Sequence, residues 1–161
     1  MKLTKMFRAS ATALCCLLAL ISCRQGPDAA SGPLAPVDVK VVDHLVAVLG
    51  HESCVLELVD PASGEKVKSI RLAQPPNGMA VDGATAYVAE GGPRGAVEVV
   101  DLESGALKRS FPAGHTPMSP VVRGGKLYVA CRFDSRVLEM DAATGTVLDS
   151  WNVPREPVAL A

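Results

Sequence analysis

Asp60-Pro61-Ala62-Ser63-Gly64, Asp101-Leu102-Glu103-Ser104-Gly105 and Asp141-Ala142-Ala143-Thr144-Gly145 are three copies of one segment, Asp-x-x-Ser/Thr-Gly, set 41 and 40 residues apart. Pro36, Pro76, Pro117 and Pro157 keep the same step, at 40, 41 and 40 residues. Six residues after each of these glycines stands an apolar side chain: Ile70, Phe111 or Trp151. Independent markers that share one period define a structural repeat. An aspartate that opens a turn accepts hydrogen bonds from backbone N–H groups ahead of it, and glycine takes the left-handed conformation that closes a hairpin. The three aspartates are therefore read as turn builders, and no ligand is needed to explain them.

Working outward from these turns, each repeat resolves into four short β-type runs separated by turn signals. The second repeat places them at 77–81, 85–90, 96–100 and 106–111, and the third at 118–122, 126–131, 136–140 and 146–151. The first repeat opens more weakly at 37–42 and continues at 45–49, 55–59 and 66–72. Asp82-Gly83 and Gly124-Gly125 supply tight turns between the first two strands of their repeats. Four antiparallel strands repeated at this period make the blade of a β-propeller, so the fold class is all-β with about three blades. Glu139 stands one position nearer its repeat aspartate than Glu57 and Glu98 stand to theirs, which leaves the strand register of the third repeat open.

Tyr87-Val88-Ala89 and Leu127-Tyr128-Val129-Ala130 are followed by Val97-Glu98-Val99-Val100-Asp101 and Val137-Leu138-Glu139-Met140-Asp141, then by the Ser/Thr-Gly turn and the later proline. This pattern resembles the YVTN-type β-propeller repeat over residues 37–161, although Glu90 and Cys131 stand where that repeat usually carries Asn. The resemblance implies blades at about 37–72, 77–111 and 117–151, with a fourth starting at 157. A propeller ring closes with about four to eight blades. Three blades leave it incomplete, and the expectation is an N-terminal fragment whose missing blades or downstream domain follow residue 161.

The N-terminus reads as an address. Lys2, Lys5 and Arg8 precede the apolar run 9–21, and Leu20-Ile21-Ser22-Cys23 resembles the bacterial lipobox. The expected organisation is a lipoprotein signal peptide at 1–22, then the lipidated Cys23 and a flexible tether through residue 36, RQGPDAASGPLAP after the cysteine. Such a tether spans roughly 20 Å. The alternative is an ordinary secretory signal with an incidental cysteine. A lipid anchor implies attachment to the bacterial cell envelope, on the periplasmic side or cell surface, with the outer membrane preferred because Arg24 and not Asp follows Cys23.

Removing the three basic residues of the signal leaves about −4 for the mature chain, against −1 for the whole. No basic run and no aromatic-interleaved basic patch is present, which argues against a nucleic-acid partner. Of five cysteines, Cys15 and Cys16 leave with the signal and Cys23 is lipidated, so Cys54 and Cys131 remain. They fall at non-equivalent places two repeats apart and read as small buried hydrophobes more readily than as a disulfide.

Ligand contacts are expected on the face that carries the loops between second and third strands and the loops between blades. These hold His51, Arg94 and Arg132 in the first set, and Gln74, His115 and Arg155, each two residues before a repeat proline, in the second. Polar residues that vary from blade to blade suit recognition. Glu52, Glu90, Asp134 and Glu156 are the carboxylates assigned to the same loops, while His44 lies at a strand entrance. No metal-ligand spacing, phosphate loop, nucleophile elbow or haem-attachment motif occurs, so no catalytic residue, metal or cofactor is assigned within the chain. The function expected is a membrane-anchored binding or scaffolding module for a protein, peptide or carbohydrate. The alternative is the propeller part of a periplasmic enzyme. The resemblance implies lactonase-like or quinoprotein-dehydrogenase-like relatives, or fusion to a cytochrome-c-like di-haem peroxidase domain beyond residue 161.

Overall fold

The computed structural model describes residues 33–160; the signal, Cys23 and most of the tether lie outside the described residues. Twelve strands form three four-stranded antiparallel sheets, each with its strands in chain order. Blade 1 holds β1 Pro36–Val42, β2 Leu45–Gly50, β3 Val55–Val59 and β4 Lys66–Arg71. Blade 2 holds β5 Pro76–Asp82, β6 Thr85–Glu90, β7 Ala96–Asp101 and β8 Leu107–Pro112. Blade 3 holds β9 Pro117–Arg123, β10 Lys126–Cys131, β11 Arg136–Asp141 and β12 Val147–Asn152. Each strand falls where its turn signals put it, with ends differing by a single residue at most. The fold is the β-propeller blade architecture, with its sheets not closed into a ring.

The turn chemistry is as the sequence implies. Asp60 Oδ1 accepts from Ala62 N–H at 2.8 Å, Asp101 Oδ1 from Ser104 N–H at 2.8 Å, and Asp141 Oδ1 from Thr144 N–H at 2.8 Å. The Ala62 N–H at Asp60, Lys108 and then the Ser104 N–H at Asp101, and the Thr144 hydroxyl and then its N–H at Asp141 hold all three carboxyls below the ordinary carboxylate range. Gly124 and Gly125 both take positive φ, at 59° and 76°, as a two-residue hairpin requires.

Two apolar cores lie between the blades. Ala47, Leu49, Leu56, Leu58, Ile70 and Leu72 of blade 1 meet Met79, Ala86, Val88, Val100 and Leu102 of blade 2. Tyr87, Val97, Val99, Phe111 and Ala113 of blade 2 meet Leu127, Val129, Cys131, Leu138 and Met140 of blade 3. Alternation along each strand sends one set of side chains back to the preceding blade and the other forward to the next.

The repeat glycine has a packing reason besides its turn. Gly145 has φ +73°, and a Cβ there would overlap the Phe111 ring, so the aromatic of one blade seats against the glycine of the next. At Gly105 the contact is looser, with Lys68 3.3 Å and Ile70 3.6 Å from where a Cβ would stand. Trp151, the third member of the series, is 42% exposed and stacks on Tyr128 with ring centroids 6.3 Å apart. Among the described residues no further blade stacks on the forward face of blade 3.

The register of blade 3 is unchanged despite the shifted glutamate. Val129, Leu138 and Ser150 stand opposite one another as Val88, Glu98 and Ser110 do in blade 2. Leu138 therefore occupies the place of Glu98, while Glu139 turns to that forward face and pairs with Lys126 at 2.5 Å. Among the described residues Cys54 and Cys131 are both free. Cys131 is fully buried, but Cys54 is only partly so and sits in a left-handed turn at φ +52°, which corrects its reading as a core residue.

Candidate functional site

Hydrogen bonds tie together the loops between second and third strands and the loops between blades. Gly91 N–H donates to Pro75 O at 3.0 Å, Thr116 N–H to Gly92 O at 2.9 Å, Arg132 N–H to Thr116 O at 3.1 Å, and Val153 N–H to Ser135 O at 2.9 Å. Each loop between a second and third strand is thus fastened to a neighbouring inter-blade loop. Backbone groups that would otherwise need water are satisfied within the face.

At the junction of blades 2 and 3 this face holds a cavity of about 590 Å³, lined by Pro93, Arg94, Pro112, Gly114, His115 and Asp134 among others. Asp134 organises it. Its Oδ2 accepts from the backbone N–H of His115 at 2.9 Å and from Arg136 at 3.2 Å. The His115 ring leans on Phe133 with centroids 5.0 Å apart, and the Arg132 guanidinium lies over the Phe133 ring, 5.1 Å from its centroid. Arg132 is further held by Glu156 through contacts of 2.9 and 3.2 Å. Among the described residues Arg94 has no ion-pair partner. The cavity therefore offers small apolar walls, the Asp134 carboxylate, one imidazole and a guanidinium with no ion-pair partner among the described residues.

Of the six residues singled out from sequence, Arg94 and His115 line this cavity, and Arg132 stands beside it through Phe133. Gln74, His51 and Arg155 do not line it. Gln74 is engaged through its backbone, and His51 Nδ1 lies 2.7 Å from Pro76 O, where it is occupied in joining blade 1 to blade 2. Arg155 is exposed on the last described loop. Sequence reasoning missed Phe133, whose only signal was being an aromatic residue in a four-residue polar loop. Among the described residues no group of three or more His, Cys, Asp or Glu side chains is placed to hold a metal ion.

One assignment needs correction. Glu90 is not a loop carboxylate, because it closes β6 on the face turned toward blade 1 and is only 3% exposed. Its Oε1 accepts from the Gln74 N–H at 3.1 Å. Glu98, 6% exposed, lies diagonally across on β7, and its Oε2 is buried without a partner. Burial, and then the hydrogen bond and charge of Glu98, push the Glu90 carboxyl up to about 7, against the pull of the Gln74 and Ala73 N–H groups.

No protein-family profile matches the chain, and no curated protein is found similar to it. Solved structures are similar in fold. Hydrazine synthase of Kuenenia stuttgartiensis superposes with a TM-score of 0.73 at 19% identity, covering 84% of this chain and 41% of that one. AztD of Citrobacter koseri gives 0.60 at 19%, covering 71% and 34%, and the RRP9 WD40 repeats give 0.68 at 15%, covering 78% and 41%. The class defined is a β-propeller. The chain spans less than half the length of these structures, and identities this low carry the fold alone.

Proposed function

We propose that this chain is a lipid-anchored, extracytoplasmic binding module of the YVTN type, which takes a protein, peptide or carbohydrate ligand on its loop face. The observation that carries the reading is the cavity between blades 2 and 3, where Arg94, without an ion-pair partner among the described residues, and the His115 imidazole share a lining with apolar side chains. Concave, mostly apolar sites with a few convergent polar groups are the usual form of a ligand pocket. The Leu-Ile-Ser-Cys sequence ending at Cys23 supports the anchor. The alternative role as the propeller part of a periplasmic enzyme has only the shared fold behind it.

The test uses full-length protein from the membrane fraction against peptide and glycan arrays. Ligands recognised by the wild type should bind roughly 10- to 100-fold more weakly to R94A and H115A, as for loss of a charged anchor in a pocket, while C23A should move the protein out of the membrane fraction. Binding untouched by both cavity changes would overturn the site. Turnover of a substrate that is lost in H115A would replace the binding reading by the enzymatic one.

A further inference from the structure

Glu90 and Glu98 lie outside the ligand cavity and take no part in the proposed binding. Their surroundings are apolar: Leu49, Leu56 and Leu72 of blade 1 belong to the core on this seam, as do Val88 and Val100 on their own strands. Two carboxylates in such a place would repel each other with little water to screen them. Nor is a counter-charge supplied among the described residues: Lys68 of β4, the basic side chain that crosses this seam, is taken by the Leu102 and Glu103 carbonyls. Lys108 of β8 is taken by Asp101 at 2.5 Å, and Arg109 of the same strand donates forward to Ala143 O. His51, from the 51–54 loop, is engaged with Pro76 O, Cys54 of that loop is held through its thiol by His51 O, and Arg94 opens on the cavity. Arg71 ends β4 exposed. What remains to neutralise the pair is a proton.

We propose that Glu90 and Glu98 form a proton-binding clamp, in which one proton shared by the two carboxyls holds blade 1 to blade 2 and its release to water loosens the seam. The contrast with the next seam is informative. At the equivalent positions of blade 3 stand Cys131 and Leu138, both buried, so the same geometry closes there without an ionisable acid pair. The clamp is also placed to be felt at the loop face. Glu90 holds the Gln74 N–H, and the next residue, Gly91, donates to Pro75 O.

The sign follows from linkage. A carboxyl whose folded value lies above its ordinary 4.5 is most favourable to folding when protonated, so stability is full below 4.5, falls as pH rises from there through about 7, and stays lower beyond. Asp60, Asp101 and Asp141 are held low and lose their protons before this window opens. Full-length protein should therefore melt roughly 5–10 °C lower at pH 8 than at pH 5. E90Q, which mimics the protonated acid, and E98L, which copies Leu138, should both abolish most of that slope, whereas H51Q and H115Q should keep it. Infrared spectra at neutral pH should show a protonated-carboxyl stretch in the wild type that E90Q lacks, a readout that survives even if E98L does not fold. A wild-type protein with no such band, or a slope undiminished in E90Q, would overturn the clamp.

Discussion

At the seam between blades 1 and 2 the Gln74 N–H is received by Glu90, a buried strand carboxyl with a second acid behind it; at the seam between blades 2 and 3 the equivalent His115 N–H is received by Asp134, a loop carboxylate with Arg136 beside it. One backbone donor, left over where the chain passes from blade to blade, is satisfied from the inside in one case and from the loop side in the other. The difference decides what each seam can do. Satisfaction from inside fills the seam with ionisable groups and makes it answer to protons. Satisfaction from the loop leaves Cys131 and Leu138 to pack below and opens space beside His115 for the ligand cavity.

The change that breaks this comparison most severely is G145A. It forces a Cβ into the Phe111 ring at φ +73°, adding overpacking to an unfavourable backbone region, and should cost about 2–5 kcal/mol. Gly64 has φ +73° too, but nothing lies within 4 Å of its Cβ position, so G64A should cost only the backbone part, about 1–2 kcal/mol. Urea unfolding of the two variants separates these contributions. Equal losses would mean that the Phe111 seat does not carry the seam.

That pair also shows how much could be read from the chain. The period, the turns and the strands were legible because each rests on local chemistry repeated three times: an Asp that caps, a Gly that turns, an apolar residue six positions on. The packing role of Gly145 was not, since its neighbour Phe111 is brought to it only by stacking of whole blades. Glu90 was misplaced for the same reason. A charged residue at the end of a strand and before a Gly-rich stretch looks like loop, and only the seam reveals that it is enclosed. At the cavity, Arg94 and His115 were found by their loop positions, while Asp134 emerged as the organising group because its partners come from another blade's loop and from Arg136.

A smaller effect is expected where the loop carboxylate is removed. D134A leaves the His115 N–H and Arg136 without their acceptor, but both can reach water, so the loss should be about 1–2 kcal/mol. The sharper readout is amide exchange at His115, which should speed up in D134A while Gln74 is unchanged. If Gln74 responded equally, the two seams would be acting as one unit.

The smallest effect concerns what crosses from each blade to the turn ahead. Lys68 donates to Leu102 O and Glu103 O, and Arg109 donates to Ala143 O, so in both seams a basic side chain of the fourth strand satisfies carbonyls of the next Asp-x-x-Ser/Thr-Gly turn. Asp149 holds the corresponding place in blade 3, on the face that no further blade covers among the described residues. Because these contacts are exposed, R109A should lose no more than about 1 kcal/mol, a shift of a few degrees in Tm. D149R should change nothing measurable if no turn beyond the described residues lies ahead of it to receive the guanidinium. Stabilisation by D149R would show that a surface does cover blade 3, and would move Trp151 from the uncovered region of the comparison to the covered one.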